Sequence, residues 1–113
     1  MLQLTLDLLS GLPNPAWTLP CEEAAAFLHL VRDLPAFTGF LPTPPDLGYR
    51  GLVVTADCPG WPAGTWRVFG GAVSLPERIA ADTGRGLERA LLGSGEGRIE
   101  ARWLAAAREA AGR

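Results

Sequence analysis

Few residues in this chain can do chemistry, and their types narrow it at once. Among 113 residues there is one histidine, His29, and there are two cysteines, Cys21 and Cys58; all ten basic residues are arginine, so lysine is absent. Without lysine there is no Schiff-base nucleophile, no Ser-Lys dyad and no phosphate loop ending in Gly-Lys-Ser/Thr. The cysteines stand far apart, and the paired spacings of zinc sites, CxxC or HExxH, are missing. No structural metal and no cofactor is therefore expected.

What remains are small constellations, each with a plainer alternative. On a helical wheel His29 shares a face with Glu22 and Asp33, and Asp33 could orient the imidazole as a base or metal ligand. No nucleophile accompanies it, so a solvated helix face is the expectation. In DTGRGLER, Arg85 sits near glycine amides at a helix start, where it could hold a carboxylate or phosphate, with Glu88 three residues on. The alternative is that Asp82 caps the helix and Arg85 and Glu88 pair on the surface. No catalytic residue is assigned.

The loops are rich in aromatic and proline residues. In SGLPNPAW, Pro13 and Pro15 fix two backbone angles, so Asn14 and Trp17 could be presented to a partner, or Trp17 could cover one end of the core. Trp61, in CPGWPAG, either folds back onto the loop at 35–50 or projects as an anchor. Tyr49 and Arg50 stand at the end of that long loop, PAFTGFLPTPPDLGYR, whose Phe37, Phe40 and Leu41 are expected to pack it.

The elements that must position these groups follow from periodicity. Leu2, Leu4, Leu6 and Leu8 alternate with Gln3, Thr5 and Asp7, as in a half-buried strand. Residues 21–34 carry apolar residues at helical spacing with acidic residues in the first turn and Pro35 as a stop. Residues 51–56 and 66–74 read as strands, with a bulge at Gly70-Gly71. Ser74 and Glu77 form a capping-box pattern that predicts a helical turn over 76–81. Helices are expected over about 83–92 and over 98–111, the latter docking through Trp103, with GSGEG as a flexible joint between them. The expected form is a single α+β domain over 1–113: a small antiparallel sheet of about three strands with three helices mainly on one face, in the order β-α-β-β-α-α.

The formal net charge of −2 and a pI near 5.3 argue against a nucleic-acid footprint. Prolines and arginines interrupt every apolar run, so no membrane span is expected. The amino-terminal stretch lacks the positive region of a secretion signal, which points to the cytoplasm and to reduced thiols, a Cys21–Cys58 disulfide being the alternative.

The opening strand, SGLPNPAW, the acidic helix start, the GYRG segment and DTGRGLE together resemble a group of small bacterial proteins that share an SGxPNPxW opening. The resemblance implies one architecture for these segments and carries no activity. With catalytic types scarce, the expected function is a non-catalytic module that binds a protein or peptide through Asn14, Trp17, Tyr49, Arg50 and Trp61, in the manner of an accessory subunit. The alternatives are a small enzyme or small-molecule binder with a pocket between sheet and loops, drawing on Asp57, Cys58, Arg67, Arg85 and Glu88, and a self-associating protein.

Overall fold

In the computed structural model, residues 1–8 and 13–112 are described; Ser10, Gly11 and Leu12 of the SGLPNPAW segment lie outside them. The alternating leucines do form a strand, β1 (Leu2–Leu6), with Leu2, Leu4 and Leu6 fully buried. It is central, pairing antiparallel with β2 (Ala16–Leu19) on one side and β3 (Leu52–Ala56) on the other. Strands β4 (Gly64–Phe69), β5 (Ala72–Ser74) and β6 (Ile79–Ala81) complete one antiparallel sheet in the order β2-β1-β3-β4-β5-β6.

The sheet therefore has six strands rather than about three. β2 escapes a periodicity reading because four residues between Pro15 and Pro20 are too few to show a period. Gly70 and Gly71 are not a bulge. Both have positive φ, and with Phe69 opposite Ala72 they form the two-residue hairpin turn between β4 and β5. The helical turn predicted over 76–81 is instead a hairpin and a strand. There the local capping pattern loses to burial, since pairing Ala80 with Val73 places both fully inside.

Inward residues of the strands, including Leu4, Trp17, Val54, Trp66 and Val68, share one core with Leu87, Leu91, Leu92, Leu104 and Ala107 of the helices. The other sheet face carries Gln3, Thr18, Thr55, Thr65 and Arg67, all exposed. The first helical segment is broken: α1 (Cys21–Ala24), a 3-10 turn over Ala25–Phe27, then α2 (Leu28–Val31), which stops short of Leu34 because Asp33 takes a left-handed φ of 61°. Glu22, His29 and Asp33 are exposed. Helix α3 spans Gly86–Gly93 and α4 spans Ala101–Ala111.

α4 buries Leu104, Ala107 and Ala111 rather than docking mainly through Trp103, which is half-buried with the Arg102 guanidinium 4.3 Å from its ring centre. Nor is GSGEG a loose joint, because Gly95 is buried so closely under Trp17 that an added methyl would meet the indole at 3.1 Å. In the 35–50 loop, Ala36 bridges to Ala80, while Phe40 and Leu41 face water instead of packing the loop.

Cys21 and Cys58 are joined in a disulfide with their Cα atoms 5.4 Å apart, so the expectation of reduced thiols is corrected. Two residues that no sequence window connects meet because the strands preceding them both flank β1. Replacing both cysteines by serine should lower the unfolding free energy by about 3–4 kcal/mol, the loop-entropy value for a loop of this length. A urea melt against the parent measures it, and an unchanged midpoint would show that the bridge constrains nothing.

Candidate functional site

The most concentrated polar chemistry lies at the end of the sheet where β3 begins and β4 ends. After β6 the chain must reverse to lay α3 on the core, and it does so through Gly84 (φ 70°) and Arg85 (φ 58°), both left-handed. For arginine this conformation costs on the order of 1 kcal/mol, and it is held by hydrogen bonds on both sides. The buried Asp82 carboxylate accepts from the backbone N–H groups of Leu87 (2.9 Å) and Glu88 (3.0 Å), while the Asp82 carbonyl accepts from Arg85 N–H (2.9 Å). Asp82 thus serves the helix start as the sequence suggests, but from inside the protein.

This turn points Arg85 and Glu88 at one another. Glu88 has no solvent exposure, and a buried carboxylate is tolerable only when its lone pairs are occupied. Its Oε1 accepts from Arg85 Nε (2.9 Å) and from Gly70 N–H (3.2 Å), and its Oε2 accepts from Tyr49 O–H (2.5 Å) and Arg85 Nη2 (3.2 Å). Arg85 and Glu88 therefore pair in the interior, not on the surface. Tyr49 is brought there by a continuation of the β1–β3 pairing, in which Asp7 N–H donates to Gly51 O and Arg50 N–H donates to Asp7 O. Gly51 must be glycine: its φ is 108°, and a methyl group there would stand 2.6 Å from the Val68 carbonyl oxygen.

Electrostatics follow the geometry. Burial, reinforced by the neighbouring Glu88 charge and the hydrogen bond to it, raises the Tyr49 hydroxyl far above its ordinary 10.0. The hydrogen bond to Glu88 raises Arg85 as well, so its guanidinium stays charged. All four hydrogen bonds to Glu88 are internal. What the arrangement does chemically is lock the loop at 49–51, the β4–β5 turn and the start of α3 to a single carboxylate.

The other nominated residues are scattered. Trp17 is buried, with its indole N–H on Ser94 Oγ (2.9 Å), and Trp61 is buried against Trp66, their rings nearly parallel with centres 6.2 Å apart. Trp61 therefore does not project as an anchor. Asn14 Oδ1 accepts from Leu8 N–H (3.0 Å), holding the β1–β2 hairpin. Of the five residues read as partner contacts, Trp17, Tyr49 and Trp61 belong to the core, and Arg50 alone is classed as exposed. The polar set offered for a catalytic pocket does not converge either. Arg67 pairs with Asp7 (2.7 Å), whereas Asp57 and the bridged Cys58 stand at the far end of β3.

Two groupings of residues are visible only in the structure. Phe40 is fully exposed, and Leu41 and Leu47 are 50% and 75% exposed, on the same proline-rich loop. Cys21, Asp57 and Cys58 form a tight side-chain cluster. A hydropathy reading assigns large apolar residues to a core and so hides the first; the second depends on strand register. No helix among the described residues is long and apolar enough to cross a membrane.

Because Tyr49 is the only tyrosine, its environment can be read directly. A raised folded-state pKa stabilises the protein fully below the unfolded value of 10.0 and is lost as pH climbs above it. Tyrosinate absorbance should therefore stay silent through pH 10 and appear only together with cooperative unfolding; an ordinary titration curve with the fold intact would refute the buried hydrogen bond. Tyr49→Phe should cost about 1–2 kcal/mol in a thermal melt. No protein-family model, curated protein or solved structure matches the chain.

Proposed function

We propose that this protein is a non-catalytic recognition module whose contact surface is the proline-rich loop at 35–50, with Phe40, Leu41 and Leu47 as its apolar anchors. One observation carries the reading: Phe40 is 100% exposed on a loop that is itself pinned. Ala81 N–H donates to Pro35 O (2.7 Å) and Phe37 N–H to Ile79 O (3.0 Å), tying its start to β6. Pro42 packs on Gly70, and Tyr49 anchors the far end in the core.

A pinned loop presents a side chain with little further ordering cost on binding. Each large apolar side chain fully buried at an interface contributes roughly 1.5–3 kcal/mol. Beside the loop, an open groove of about 160 Å³ runs over the outer sheet face between Pro42, Pro44, Phe69 and Ala72. The chemistry favours a protein partner offering an apolar pocket, and the earlier contacts Trp17, Tyr49 and Trp61 drop out of the proposal because they are buried.

Self-association has its own support. β2 is one of the two edge strands of the sheet, and Ala16 and Thr18 are exposed on it. Such an edge favours pairing with another strand. As for location, the disulfide favours a compartment that is not reducing over the cytoplasm.

Phe40→Ala combined with Leu47→Ala should leave the melting temperature unchanged, within about 0.5 kcal/mol, because both side chains already face water. The same variant should lose, by tenfold or more, affinity for the partner that the parent recovers from its native host. Equal recovery by parent and variant would sink the assignment of this loop. A concentration-dependent dimer in sedimentation, abolished by Thr18→Pro, would favour the edge strand instead.

A further inference from the structure

Register brings Cys21, Asp57 and Cys58 together. Leu2 stands opposite Leu19 on one side and Ala56 on the other, so β2 and β3 release their following residues at the same end of the sheet. Cys21 comes two positions after Leu19; Asp57 and Cys58 come one and two positions after Ala56. One Sγ from each cysteine and a carboxylate oxygen of Asp57 all lie within 4.8 Å of one another. Cys58 is buried, Cys21 half-buried and Asp57 exposed, so the cluster opens to solvent on one side.

We propose that reduction of the Cys21–Cys58 bridge turns this cluster into a binding site for one thiophilic divalent cation of the zinc class. Cys21 Sγ, Cys58 Sγ and an Asp57 oxygen are its protein ligands, and water takes the fourth, solvent-facing position. Zinc takes thiolate and carboxylate ligands in a tetrahedron at about 2.3 Å and 2.1 Å, which sets two sulfurs about 3.8 Å apart. The two sulfurs, now bonded to each other, separate to that distance once the bond between them is gone. Asp57 lies open to solvent, its side chain being 81% exposed.

The steps balance. A dithiol reductant passes two electrons and two protons to the bridge and itself becomes a disulfide, leaving two thiols; the metal then binds as both thiols release their protons. In reverse, hydrogen peroxide takes two electrons from the thiolates, the sulfur–sulfur bond re-forms, the metal leaves, and peroxide with two protons becomes two waters. Occupancy is thereby set by the redox state of its surroundings. The site lies at the opposite end of β3 from Tyr49 and is independent of the recognition loop.

The test uses the whole chain, reduced with a phosphine and titrated with Co²⁺, followed by Zn²⁺. Expected are one Co²⁺ per chain with a thiolate-to-cobalt charge-transfer band, displacement of that band by Zn²⁺, and no binding by the oxidised chain. Asp57→Ala should weaken binding at least roughly tenfold, since even groups behind metal ligands command about that much. If reduction unfolds the chain, Zn²⁺ should restore the native circular dichroism of the parent and not of Asp57→Ala. Absence of the band in the folded, reduced chain, no recovery by Zn²⁺ in the unfolded one, or equal affinity of Asp57→Ala and parent would each overturn the proposal.

Discussion

The register of one five-residue strand governs both ends of this molecule. β1 is flanked on both sides, and a slip of a single residue would turn Leu2, Leu4 and Leu6, all fully buried, out of the core. Its amino-terminal end sets Leu19 and Ala56 abreast and so delivers both cysteines and Asp57 to one place. Its other end extends through Asp7 into hydrogen bonds with Arg50 and Gly51, which carry Tyr49 to Glu88. Two polar clusters with no sequence connection are consequences of one hydrophobic alternation.

Glu88 supplies what the hydrophobic core lacks, which is discrimination. Apolar contacts tolerate small rotations, but a buried carboxylate with four donors around it is satisfied by very few arrangements of the segments that bring them. Removing one partner exposes the rest to the full desolvation cost, so the group is worth more as a constraint than as a net source of stability. The left-handed Arg85 stands at the same place, just before α3 and three positions ahead of the Glu88 with which it pairs. Phe69 completes the enclosure, its ring 6.1 Å from Tyr49 and 6.0 Å from the Arg85 guanidinium.

The parts legible in the sequence were those written within one window of residues. β1, β3, β4 and the helical regions around 21–31, 86–93 and 101–111 show their periods, and the acidic face of Glu22, His29 and Asp33 lies in water. The missed strands are short and masked by strong local signals of another kind: prolines around β2, and a capping pattern across β5 and β6 whose competing stabilisation is long-range burial. The pairing of Arg85 with Glu88 was readable from their spacing, but its burial was not, because Tyr49 and Gly70 arrive from a loop and a hairpin turn distant in sequence. The disulfide was open to counting only as a possibility; register decides it.

The tryptophans teach the same point from the other side. Proline, glycine and tryptophan in loops look like a recognition surface, yet a chain this small has few large side chains with which to close its core, and it buries three of its four tryptophans. Trp61 packs against Trp66, and Trp17 donates to Ser94 at the end of α3. Residues that the fold needs are poor candidates for contact, since a partner can gain only from surface that folding has left exposed. By that criterion the informative loop residues are not the aromatics of highest intrinsic value but those the fold spends least on. Phe40 and Leu47 meet it on a loop held at both ends, which separates the residues that stabilise the domain from those free to bind.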